Sequence, residues 1–317
     1  MITLTWLYVL AGLMFAAFAI LSALDGTNAR RWGNAAFWGL MALSLTGGSA
    51  IGDLGNGMLV LCLAGLAGSG AIGRGAPLTT NEVERATFSQ RLGNRLFLVA
   101  LIIPATALVG TLLYTYTPLA NSGLFEAKRE TYVLLGVGVL LALAILYVWL
   151  RPPALAPLQE GRRLIDSIGW AAVLPQMLAA LGVVFAAAGV GTVIGDMTRA
   201  VIPDGNIALT VIVFAVGMAL FTMIMGNAFA AFPVMAAAVG VPLLITAYRG
   251  DPAVIGAIGM LAGFCGTLMT PMAANFNIVP AALLELSDRN AVIKVQIATA
   301  LPLLGVNIAL IYFMAFR

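Results

Sequence analysis

The sequence predicts an all-α fold: a polytopic integral membrane protein of about 8–10 transmembrane helices, with re-entrant hairpins and discontinuous helices among them. Three observations predict it. Of 317 residues, 62% are hydrophobic and 9% charged, and the mean hydropathy is +1.03; a soluble domain carries about 25% charged residues. Apolar runs of about 20 residues, enough to cross the hydrocarbon, recur from end to end. Other runs are shorter or hold internal Gly and Pro, and such broken backbone persists at membrane depth only where protein or a water-filled cavity surrounds it.

Uninterrupted spans are predicted over 2–24, 96–116, 131–150, 206–228 and 291–315, and shorter or interrupted ones over 35–51, 57–72, 168–195, 233–248, 252–270 and 276–287. The first stretch has no basic leading region and no small-residue cleavage site, so a retained span is expected. Between spans, "GRGAPLTTNEVERATFSQRLGNR" (73–95) places Thr, Asn and Glu to cap a short amphipathic helix. "RPPALAPLQEGRRLIDS" (151–167) is Pro-rich and basic and reads as a cytoplasmic linker. It divides an N-terminal transmembrane bundle, 1–150, from a C-terminal transport-type repeat with broken helices, 168–317. "GSAIGD" (48–53) and "GTVIGD" (191–196) echo each other across that division, and internal repeats are common in secondary transporters.

The net charge of +3 does not imply nucleic acid, because the basic residues stand singly or in pairs without a basic stripe. They read as topology. Arg30, Arg31, Arg74, Arg85, Arg91, Arg95, Arg151, Arg162, Arg163, Arg249 and Arg317 fall on one side if the spans alternate, which makes that side cytoplasmic and the N-terminus external. Cys62 and Cys265 lie in apolar runs and read as small buried hydrophobes. With no His in the chain, Ser-His-Asp catalysis and the usual zinc and haem sites are excluded. An enzyme is not expected, no cofactor is implied, and no Walker A motif is present.

No Asp, Glu, Lys or Arg occurs from Gly205 to Tyr248 or from Pro252 to Leu284. Helix breakers and polar residues there need a reason, since an unpaired polar group in hydrocarbon costs several kcal/mol. Three breaks stand out. "AAAGVGTVIGD" (186–196) exposes Thr192 at a reversal. "MIMGNAFAAFP" (223–233) interrupts a helix at Gly226 and Asn227. "GFCGTLMTPMAANFNIVPAALLEL" (263–286) ends one helix at Thr270-Pro271 and sets Asn275 and Asn277 before the next. A broken helix offers N–H groups to an anion at its new N-terminus and C=O groups to a cation at its old C-terminus. Asn adds a donor and an acceptor without a charge. Thr192, Gly226, Asn227, Thr270, Asn275 and Asn277 are therefore the predicted substrate-binding residues for a small carboxylate. A break of this kind can also serve only to kink a helix or to let two helices pack. Asp196 and Glu285 are candidates for ion coupling, to H+ or Na+, and Asp196, like Asp53, can instead be an interfacial cap. Asn121 and Asn206 are expected in loops or caps.

The 263–286 passage, with "LPQMLAALGVVFAAAGVGTVIGD" (174–196) and "MIMGNAFAAFPVMAAAVGVP" (223–242), resembles the larger permease subunit of the bacterial two-component 5-oxoproline (pyroglutamate) transporters. The resemblance covers most of the chain, and 263–286 is its most specific part. It implies a multi-pass protein of the inner membrane, partnered by a smaller membrane permease subunit, that takes up 5-oxoproline. A more distant similarity is to the ion-transporter superfamily of gluconate and C4-dicarboxylate carriers. A different reading stays open: a structural partner subunit of a carboxylate permease whose substrate contacts lie mainly in another chain.

Overall fold

In the computed structural model, residues 2–316 are described except 77–78, 119–121, 127 and 204; Asn121 thus lies outside the described residues. The described chain is helical, without a β-strand, and 7 of its helices are long and apolar enough to cross a membrane. This is an all-α, multi-pass membrane protein. The chain forms two compact units, residues 1–166 and 167–317.

The first unit contains α1 (Leu4–Leu24), α2 (Arg31–Gly68), α3 (Glu82–Leu92), α4 (Arg95–Tyr116), α5 (Glu130–Leu150) and most of α6 (Ala156–Ile168). At 38 residues α2 joins two predicted spans, yet it is not one straight rod. Gly52 has φ 73 and ψ 177 inside it. Asn34 Nδ2 donates to Gly73 O at 2.7 Å, 39 residues on, whereas a straight helix would separate them by more than 50 Å, at about 1.5 Å per residue. So α2 doubles back at Gly52 as a helical hairpin. The amide of Asn56 closes the bend, donating to Gly48 O at 2.8 Å and Gly52 O at 2.9 Å and accepting from Ser44 Oγ. The sequence echo is not a structural one: Gly52 lies at this bend, whereas Gly195 lies within regular helix packed on Ala238.

α3 has the predicted cap. Asn81 Oδ1 accepts from Glu84 N while Glu84 Oε2 accepts from Asn81 N. Residues 151–167 differ from the expected linker, because most of them form α6, held by buried charges. Arg162, 3% exposed, pairs with Asp25 at 2.9 Å, a contact without hydrogen-bond angles, and donates to Leu21 O. One helical turn on, Asp166 accepts from Trp38 Nε1 at 2.8 Å and Asn34 Nδ2 at 3.0 Å. Burial pushes the Asp166 carboxyl above its usual value against the pull of these donors and Arg162. At Asp25 burial acts in the same sense, but Thr27 and Arg162 outweigh it and hold the carboxyl below its usual value. Cys62, expected to be buried, is exposed on the second arm of α2.

The second unit begins with a short 3-10 turn, 169–172, then α7 (Leu174–Ala187) and α8 (Val190–Val201). Both helices are too short to cross alone, and Gly189, with φ 70, separates them. α9 (Ile207–Met225) follows, capped by Asn206. α10 (Ala228–Met235) continues into a π-helical stretch, Ala236–Ala247. Then come α11 (Pro252–Leu268), α12 (Ile278–Leu283) and α13 (Ala291–Ala315). The glycines fix the register. A Cβ on Gly217 would meet Met235 and one on Gly240 would meet Phe214, so α9 and the α10–π segment run antiparallel. A Cβ on Gly259 would meet Phe214, on Gly263 Met218, and on Gly266 the Ala219 carbonyl oxygen, so α9 and α11 run parallel. The core between them holds Phe214, Met218, Ile255, Ala262 and Cys265, all buried.

Two outcomes check this packing. Gly266→Ala drives a methyl into the Ala219 carbonyl and is expected to destabilise by about 1–3 kcal/mol. Gly305→Ala, with nothing within 4 Å, is expected to be neutral, and thermal melting in detergent compares the two. Asp25→Ala leaves the buried Arg162 without its counter-charge, an expected loss of about 3–5 kcal/mol. Because the Asp25 value is lowered, the pair's contribution is present above the ordinary carboxylate pKa of about 3.9 and is lost as pH falls through the folded value. Melting curves against pH should therefore show an acid-side loss in the parent that Asp25→Asn lacks.

Candidate functional site

Parallel packing of α9 and α11 brings their C-terminal ends together. α9 stops because Gly226 takes the left-handed conformation (φ 71) and returns its N–H to Thr222 O at 2.6 Å. Asn227 then opens α10, its Oδ1 accepting from Phe229 N at 2.8 Å. The Gly226-Asn227 break is thus a tight reversal between antiparallel helices. α11 stops at Leu268, and Pro271 prevents its continuation. Thr270 Oγ1 donates to Met223 O at 2.8 Å and accepts from Met272 N. Asn277 is 0% exposed, and its Nδ2 donates to Thr267 O at 2.9 Å and Thr270 O at 2.6 Å.

Beyond this level the chain continues beside α13. Asn307 Nδ2 contacts Cys265 Sγ at 3.5 Å, and Asp251 N donates to Ala315 O, so α11 and α13 run antiparallel. The end of α11 therefore stands level with about residue 304 of α13, which extends on to Ala291, a further 20 Å or so at about 1.5 Å per residue. Both breaks lie alongside a spanning helix, not past its end.

Three side-chain oxygens here have no hydrogen-bond partner although each is buried: Thr222 Oγ1, Thr267 Oγ1 and Asn277 Oδ1. The remaining polar groups differ. Asn275 is exposed, and Asn227 is half-buried with its Oδ1 engaged by Phe229. The site thus has an inner set of oxygen acceptors and an outer set of carboxamides.

The predicted residues divide accordingly. Gly226, Asn227, Thr270 and Asn277 converge on the paired breaks, and Asn275 lies on the exposed side of the same segment. Thr192 and Asp196 lie on the exposed side of α8, whose packed side is Gly191 against Val234 O and Gly195 against Ala238 O. Glu285 is exposed just after α12 with φ 53. Thr222 and Thr267 were not singled out from sequence. A threonine in an apolar helix ordinarily bonds the carbonyl four residues back, and only the packing reveals that these two do not. A cavity of about 320 Å3 beside α8 and α9 is lined by Ile194, Met197, Thr198, Ile202 and Val213. Among the described lining residues the one hydroxyl already donates to Ile194 O. Among the described residues no three His, Cys, Asp or Glu are grouped to hold a metal.

Fold and site define a class: multi-pass α-helical membrane proteins whose helices break and are capped by neutral side chains inside the bundle. Within that class the chain belongs to the family described as "Protein of unknown function (DUF979)", which matches residues 5–316. No curated protein and no solved structure matches it.

The two asparagines of the third break are expected to separate by experiment. Asn277→Ala strands the buried Thr267 and Thr270 carbonyls and should cost about 1–3 kcal/mol, read as a lowered melting temperature in detergent. Asn275→Ala, at an exposed side chain, should leave the melt unchanged.

Proposed function

We propose that this chain is the larger membrane subunit of a secondary transporter of the bacterial inner membrane that takes up a small carboxylate, 5-oxoproline, together with a smaller membrane permease subunit. The observation that carries the reading is the convergence of two helix breaks, Gly226-Asn227 and 269–277, in sequence without any charged residue. A subunit that only braces a partner has no need of breaks lined with buried, unpartnered oxygens, because each costs stability. A carrier has such a need, since a neutral hydrogen-bonding gap binds a small polar solute where Arg or Lys would be costly. The substrate itself rests on the family resemblance of residues 174–196, 223–242 and 263–286.

5-Oxoproline carries one carboxylate and one lactam. The outer carboxamides of Asn227 and Asn275 suit the lactam N–H and C=O, and the Gly226-Asn227 reversal opens a helix N-terminus for the carboxylate. Asn277 is not a donor to substrate, because its N–H2 group is already engaged by two carbonyls; its role is to hold the break.

The test is uptake of labelled 5-oxoproline by cells expressing both subunits. Asn227→Ala and Asn275→Ala are expected to reduce uptake at least tenfold at normal membrane abundance, the loss of about 1.4 kcal/mol of differential binding. Undiminished uptake in both variants would remove the paired breaks from the substrate path.

A further inference from the structure

We propose that Thr222, Thr267 and Asn277 hold a sodium ion between the C-terminal ends of α9 and α11; as a coupling ion it rests on the transport reading above, as a binding site it does not. The residues are 0, 2 and 0% exposed, and each keeps a side-chain oxygen without a partner. Three orphaned buried oxygens within one helix contact and the turn that follows it depart from the usual state of a native interior.

The packing puts them together. Gly263, Gly266 and Thr267 are spaced i, i+3 and i+4 on one face of α11; that face lies on α9, and Thr270 follows two residues past the end of the helix. Thr222 Oγ1 is 3.2 Å from where a Cβ of Gly263 would stand. Its neighbour Met223 accepts from Thr270, beyond the end of that face. Thr267 falls between those two contacts, and Asn277 is bonded to the carbonyls of both Thr267 and Thr270. These bonds also fix the amide: rotating it would aim its oxygen at two carbonyl oxygens, so Oδ1 is the end left free.

The chemistry selects the ligand. The carbonyl termini of α9 and α11 end here side by side and favour a cation between them, while the N-terminus of α10 opens on the far side of the Gly226-Asn227 turn. The free groups are neutral oxygens, and none of them titrates, so a proton has no acceptor of suitable basicity. Divalent Ca2+ and Mg2+ call for carboxylates, and the surrounding sequence from Gly205 to Tyr248 and Pro252 to Leu284 contains none. A monovalent metal ion held by hydroxyl, carboxamide and helix-end carbonyl oxygens satisfies these conditions, as broken membrane helices allow. It also links to uptake: a bound cation leaves one uncompensated positive charge at depth, which a substrate carboxylate beside it neutralises.

Thermal melting of the purified full chain in detergent tests the site without substrate. NaCl is compared with KCl and choline chloride at equal ionic strength, for the parent, Thr222→Val, Thr267→Val and Thr222→Ser. In the parent, each tenfold rise of sodium above its Kd should raise the melting temperature by about 2–3 °C, and potassium and choline should not. Both valine variants should lose the sodium response yet melt no lower than the parent in choline, because they remove hydroxyls that have no protein partner; Thr222→Ser should keep the response. Equal melting in all three salts, or a sodium response that survives both valine substitutions, would overturn the proposal. Uptake is scored separately. Sodium-selective melting without 5-oxoproline transport keeps the ion site and removes the transport reading, whereas transport without sodium-selective melting does the reverse.

Discussion

The contact on which the second unit depends is the approach of α11 to α9 at Gly266, so close that a methyl group would overlap the Ala219 carbonyl. That approach is possible only without a side chain, and the contacts of Gly259 with Phe214 and Gly263 with Met218 precede it in the same order along both helices, which run parallel. Parallel packing has an electrostatic consequence, because the carbonyl ends of both helices finish at one level in a medium of low dielectric. Two like ends repel unless donors are supplied. Thr270 supplies one across the gap to Met223, and Asn277 supplies two to the end of α11. The polar residues of 263–286 thus answer a need created by glycine packing some distance along the helices.

The same device recurs in the first unit. Asn56 bridges the carbonyls of Gly48 and Gly52 where α2 doubles back, as Asn277 bridges those of Thr267 and Thr270. Asparagine suits both places because its amide gives two donors without the desolvation cost of a cation. At helix beginnings the chemistry inverts, and the side-chain oxygens of Asn81, Asn206, Asn227 and Asp251 receive backbone N–H groups. The buried charges of Asp25, Arg162 and Asp166 sit at the end of α1 and on α6, outside the spanning segments.

Much of this was legible in the sequence. Uninterrupted apolar runs gave α1, α4, α5, α9 and α13 nearly at their observed bounds, and the Asn81–Glu84 cap followed from residue spacing alone. Where the reading diverged, tertiary contact decided. Residues 151–167 look like a linker because Pro, Gly and charge dominate; their helix exists because Arg162 and Asp166 find partners more than a hundred residues earlier. The break expected at 186–196 falls at Gly189, but Thr192 lies on the exposed side of α8. Gly226-Asn227 reads as an interruption and is a reversal, a difference of direction that composition does not encode. Thr222 and Thr267 were invisible for a similar reason, since an unpartnered hydroxyl is a property of the packed interior.

The anchor of α6 gives the molecule an optical label of its own. Of the five tryptophans, Trp6, Trp32, Trp149 and Trp170 are exposed, whereas Trp38 is wholly enclosed, bonded through its indole to Asp166 and stacked on Phe15 with ring centres 5.7 Å apart. Its indole is therefore set apart by enclosure in protein on all sides and by a bond to a carboxylate. The indole thus reports on the attachment of α6 to α2 without any dye being attached.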